Sequence, residues 1–175
     1  ILDGLIELAK LLEPGDFRQT VEKVGLYKLG DDTPLTMDDV LACAPQSAEV
    51  DVDGVLDVVT QGQVQALGPI LRNLYAQGVT PVTLCIGATR HFKRLYTVAS
   101  DQGGTSAGIG RLRPPVFGQR RDKIIQQANR WGGNRLERAL TALTDVDLQL
   151  RSADNAPQNA LMERTLIRLA MIARS

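Results

Sequence analysis

The stretch Thr80-Pro-Val-Thr-Leu-Cys-Ile-Gly-Ala-Thr-Arg-His-Phe-Lys-Arg-Leu-Tyr-Thr-Val-Ala99 decides the fold class. Leu84, Ala88, Phe92, Leu95 and Ala99 recur every three or four residues, the period that lines one face of an α-helix. A half-buried strand would instead alternate every second residue. Thr80 suits the position before the first turn, because its hydroxyl can accept an orphan amide, and Pro81 is tolerated just inside it. The same period recurs outward in both directions. Upstream it runs through Leu2, Leu5, Ile6, Ala9 and Leu12, through Phe17, Val21 and Val24, across Met37-Asp-Asp-Val-Leu41, over Val52–Val59, and through Val64, Leu67, Leu71, Leu74 and Tyr75 as far as Gly78. Downstream it predicts a helix around Arg120–Trp131. Another, past Gly132-Gly133, carries Leu136, Leu140, Leu143, Val146 and Leu150, and a last one spans about Pro157–Arg174. No alternating run is long enough to build a sheet, so the expected class is all-α. Asp101–Gly110, rich in Gly, Ser and Thr, is expected to be a mobile connection.

A chain of 175 residues can enclose one good-sized core or two small helical modules. No segment approaches the apolar length of a membrane span, and the amino end lacks the layout of a signal peptide. The sequence starts at Ile1, already inside an amphipathic pattern, and reads as a piece of a longer protein. Cys43 and Cys85 lie among apolar neighbours in different helical segments, which favours two buried free thiols and a reducing, cytoplasmic setting. His91, the one histidine, has no second ligand or nucleophile nearby and is expected at the surface or its boundary.

The balanced total of 20 acidic and 20 basic residues hides a division. Residues 1–60 hold 13 Asp and Glu against 4 Lys and Arg, leaving 7 against 16 for the remainder. The basic excess gathers in Arg90, Lys93, Arg94, Arg111, Arg113, Arg120, Arg121, Lys123, Arg130, Arg135 and Arg138. Such a cluster fits either an ordinary charged helical surface or a footprint for nucleic acid or an acidic partner. Its densest part is Arg111-Leu-Arg-Pro-Pro-Val-Phe-Gly-Gln-Arg-Arg-Asp-Lys123. The double proline gives the chain a defined direction into the next helix. Arg111, Arg113, Phe117, Arg120, Arg121 and Lys123 are the candidate DNA-facing residues, because cations neutralise phosphates and an aromatic ring stacks on a base. Phe117 has two readings, template stacking and core packing. Trp131 reads as a core anchor, on one face with Ile124 and Ala128.

Other chemistry is absent from the pattern. No glycine loop ends in Gly-Lys-Ser or Gly-Lys-Thr, and Gly103-Gly104, Gly108 and Gly110 follow no strand. Asp31-Asp32 and Asp38-Asp39 lack calcium-loop spacing and fit helix starts. The expectation is no catalytic residue, no cofactor and no metal.

The ordered motifs resemble the delta subunit of bacterial DNA polymerase III, a clamp-loader component. Val21-Glu-Lys-Val-Gly-Leu-Tyr27 is similar to that family's Glu-Lys-Leu-x-x-Tyr helix, and Leu35-Thr-Met-Asp-Asp-Val40 follows at the right distance. Then come Asp57–Gln63, Thr80–Leu84 leading to Arg90-His-Phe-Lys-Arg-Leu95, Leu112-Arg-Pro-Pro-Val-Phe117, and Ala128–Trp131. Leu148-Gln-Leu-Arg151, Ala156-Pro157 and Leu161 complete the series. The double proline looks most like the alphaproteobacterial branch; Val24 stands where Leu is usual and Arg151 where Lys is frequent. The resemblance implies an AAA+ lid-like bundle of three helices at 1–44, a linker at 45–52 and a helical collar domain at 53–175. It implies a non-catalytic subunit that helps assemble the loader placing the sliding clamp on primed DNA. The implied partners are delta-prime and tau/gamma type subunits through the collar, primed DNA in the assembled loader, and the clamp through an amino-terminal domain outside this sequence. No membrane is implied. Collar faces must meet neighbours, which makes Leu143, Leu150, Leu161 and Leu169 candidate interface residues. The basic cluster alone would also suit an autonomous nucleic-acid-binding helical domain.

Overall fold

A computed structural model describes residues 2–11, 14–43, 48–152 and 157–174. Among them the chain is all-α, with no strand. The helices are α1 (Leu2–Leu11), α2 (Pro14–Tyr27), α3 (Met37–Cys43), α4 (Ala48–Thr60), α5 (Val64–Ala76), α6 (Pro81–Ala99), α7 (Thr105–Gly110), α8 (Gly118–Arg151) and α9 (Gln158–Ile172). Of the linker expected at 45–52, residues 45–47 lie outside the described ones and 48–52 open α4, which starts earlier than Val52.

Helix α6 is the centre. Thr80 caps it by accepting the Thr83 amide at 3.1 Å, with Pro81 in the first turn. Its predicted stripe is buried at Leu84, Ala88, Phe92 and Leu95. The long α8 lies along it and bends at Gly132, where φ is 66° and ψ 166°. That left-handed conformation suits glycine and lets two helical segments of one continuous element follow different directions. Helices α4, α5 and α9 close the core with Val55, Val59, Leu67, Leu71, Leu166 and Leu169.

The segment 101–110 departs from its expected looseness. Residues 105–110 form α7, Ile109 is buried, and Gly108 sits against α6 so closely that a Cβ would lie 2.6 Å from the Val98 carbonyl oxygen. The glycine there permits backbone approach rather than freedom. The thiols are both free, but only Cys85 is buried; Cys43 is half-exposed. Burial pushes the Cys85 thiol up to about 11, which keeps it protonated and unreactive.

Helices α1 to α3 form a smaller group. Val24 and Val40 are buried there, outside the main core cluster. Helix α3 starts on a reciprocal cap: Thr36 Oγ1 accepts the Asp39 amide at 3.3 Å, and the Asp39 carboxylate accepts the Thr36 amide at 2.8 Å. Those hydrogen bonds hold the Asp39 carboxyl below its ordinary value. The group meets the rest where Asp38 abuts Gly118 at the start of α8.

Candidate nucleic-acid interface

The basic stretch is built from a rigid approach and a helix start. Ile109 and Leu112 are buried and pin the chain, Pro114 and Pro115 are half-buried, and the Arg113–Pro114 bond is cis. Arg113 folds back, donating to the carbonyls of Gly110 at 3.1 Å and Leu112 at 2.8 Å. Phe117 is the extended residue before α8, half-buried; Val116, not Phe117, packs against the main core. Phe117 thus fits neither a fully exposed stacking platform nor a core residue.

The cations divide by helix face. Arg120, Lys123, Gln127 and Arg130 recur at helical spacing along the side of α8 that meets α4. Arg120 pairs with Asp53 at 2.6 Å, Lys123 with Asp57 at 2.9 Å, and Arg130 donates to the Gln61 carbonyl at 3.2 Å. Arg111 pairs with the buried carboxylate of Asp101 at 3.0 Å. The Arg120 and Lys123 pairs are partly exposed on both sides, so each contributes only about 0.2–1 kcal/mol to stability. Their larger effect is on the field: three of the predicted DNA-facing charges already have a carboxylate beside them. Arg121 is exposed and has no ion pair among the described residues. It is the cation of this stretch most open to a phosphate.

A polar relay runs inward from the same seam. Asp57 accepts from Lys123 with one oxygen and from the Gln127 amide nitrogen at 2.8 Å with the other. A carboxylate can only accept, so the Gln127 oxygen faces His91, 2.9 Å from Nε2. Neutral His91 therefore carries its proton on Nε2. Contrary to the surface position expected for it, His91 is buried, and burial pushes it down to about 4. Gln127 and Asp57 oppose that shift, whereas Arg120 and Arg94 add to it.

Trp131 is the anchor it promised to be. It meets Phe92 edge-on at 5.0 Å between centroids, and its indole N–H donates to the Thr60 carbonyl at 3.1 Å. The collar candidates are corrected by their burial: Leu143, Leu150 and Leu169 face the interior of this chain and have no surface to offer a neighbour. Leu161 is half-buried, while Leu148 and Met171, on the same two helices, are exposed. The period placed the apolar residues on a helix face without saying which face the chain itself would cover.

The sequence reading missed Asp57, Gln127 and His91 as a connected set, and Asp53 as the partner of Arg120. The signal available was the four-residue spacing of Asp53 and Asp57, facing the opposite charge excess of Arg120 and Lys123. No group of three or more His, Cys, Asp or Glu that could hold a metal occurs among the described residues. None of their helices is long and apolar enough to cross a membrane.

No family model and no curated protein matches the chain. Among solved structures, the DNA clamp loader delta protein (YqeN) of Bacillus subtilis is similar, with a TM-score of 0.64 and 19% sequence identity over 89% of this chain. The chain spans 45% of that protein's length. At this identity the likeness concerns the fold: the chain has a clamp-loader-like, all-α architecture.

Proposed function

We propose that this chain is the lid and collar portion of a delta-type clamp-loader subunit, acting through contacts rather than through chemistry of its own. The observation that carries this reading is the fold likeness to a clamp loader delta protein over most of the chain. In this reading residues 1–44 are the lid, 45–52 the linker and 53–175 the collar. The alphaproteobacterial character rests on the double proline, Pro114-Pro115. The protein works in the cytoplasm beside delta-prime and tau/gamma type subunits, on primed DNA, while the clamp is engaged by a domain outside this sequence. ATP hydrolysis belongs to other subunits. The carboxylates beside Arg111, Arg120 and Lys123 weigh against a freestanding DNA-binding domain, since they reduce the intrinsic field of the stretch.

Mixed with purified tau/gamma and delta-prime type subunits, the chain is expected to elute with them as one species of higher mass. Separate elution at micromolar concentrations would overturn the reading. Within the assembled loader, Arg121→Gln is expected to weaken binding to primed DNA and to lower the salt slope by about 1, the mark of one lost phosphate contact. Arg120→Gln should do less, because Asp53 already sits 2.6 Å from its guanidinium. Equal slopes for Arg121→Gln and wild type would remove Arg121 from the DNA face.

A further inference from the structure

Helices α4 and α8 pack chiefly on α6 rather than on each other, and polar side chains bridge the space between them. Asp53 and Asp57, one turn apart on α4, hold Arg120 and Lys123, one turn apart on α8, at 2.6 and 2.9 Å. The buried His91 of α6 lies beneath, joined to Asp57 through Gln127. The two walls of this trough are not equally open. The side chains of Arg120 and Lys123 are 47% and 57% exposed, those of Asp53 and Asp57 only 32% and 27%. The cations therefore stand outermost, and an anion arriving from solvent meets them before it meets the carboxylates. A guanidinium and an ammonium each carry several N–H donors, so one carboxylate contact leaves donors for a second anion.

We infer that α4 is a built-in electrostatic mask: Asp53 and Asp57 occupy the place of two phosphates on α8, and a single strand of nucleic acid engages Arg120 and Lys123 in competition with them. The inference extends the proposed function, which supplies the nucleic acid, to the way its affinity is held down. Exposed pairs of this kind add little to stability, so opening them disturbs the fold little. Their main consequence is for other anions, because each carboxylate cancels the field that would draw a strand to the cation beside it. Arg121, exposed and without an ion pair among the described residues, extends the row. Three cations within four residues suit a polyanion with a charge on every unit better than the scattered carboxylates of a protein surface.

The test measures binding of this chain alone to a single-stranded thymidine oligonucleotide. Asp53→Asn with Asp57→Asn is expected to raise affinity by about 2- to 30-fold, the range that two exposed pairs of this kind span. The salt slope should steepen by about 1.4, from two phosphate contacts at about 0.7 each. An amide in place of the Asp57 carboxylate keeps an oxygen that can accept from Gln127. If the double variant folds poorly, Asp53→Asn alone carries the test, with about half the change in slope. Adding Arg120→Gln and Lys123→Gln should cancel the gain. Asp32→Asn with Asp145→Asn removes the same charge from exposed positions outside the trough and should not reproduce it. Unchanged affinity, a gain matched by the Asp32 and Asp145 variant, or a gain that survives the loss of Arg120 and Lys123 overturns the mask. An equal gain toward polyglutamate assigns the trough to an acidic protein surface and overturns it as well. No loader subunit takes part, so these outcomes are separate from the co-elution experiment, whose failure overturns the loader reading alone.

Discussion

Trp131→Ala is expected to lower stability by about 3–5 kcal/mol, read by urea unfolding at neutral pH. The indole is 3% exposed, so its removal leaves a cavity in a close-packed interior. Two further losses add to it. The edge-to-face contact with Phe92, 5.0 Å between centroids, contributes about 0.5–1.5 kcal/mol beyond area burial. The Thr60 carbonyl, near the end of α4, loses the donor that reaches it at 3.1 Å. Trp131→Phe separates these effects. It keeps most of the packing and loses the hydrogen bond, and should cost about 1–2 kcal/mol. A loss below about 1 kcal/mol for the alanine variant would mean that α4, α6 and α8 are not joined through this ring.

The second large effect is a loss of stability in acid through His91. Its folded value of about 4 lies below the ordinary 6.5, because burial opposes the charged form. The unfolded chain therefore binds the extra proton first as pH falls. Stability from this group is complete above pH 6.5 and is lost progressively down to about pH 4. The total is about 3 kcal/mol, of which about 2 kcal/mol disappears between pH 7 and pH 5. His91→Gln removes the titration and retains a hydrogen-bonding group opposite Gln127, so its stability should fall less over that interval. Parallel pH profiles for the two proteins would refute the buried, neutral assignment. Urea titrations at several pH values decide it.

The all-α class and most helix boundaries were legible from period and punctuation. Thr80-Pro81 starts α6 and Gly78 ends the preceding segment because caps and breakers act within a turn of their own position. The bend at Gly132 was legible for the same reason. Burial of individual residues was less so. Leu140 and Leu143 belong to the same α8 stripe, yet one is half-buried and the other fully buried. Their periodicity marks an apolar face; the neighbours α6 and α9 decide which part of it is covered.

The candidate site was legible as composition and not as geometry. The charge counts located an acidic first third and a basic remainder, a property of the sequence alone. Only the packing of α4 and α8 on the shared α6 brought Asp53 to Arg120 and Asp57 to Lys123, across more than sixty residues of chain. That packing also buried His91, whose own neighbours in sequence, Arg90 and Lys93, are exposed. Local spacing thus determined the helices, the turns and the asymmetry of charge, because these depend on contacts within a turn or on counting. Which charges remain available, which leucines face out and which histidine is dry depend on contacts distant in sequence. The tertiary structure decided those, since solvation and Coulomb interactions act through space.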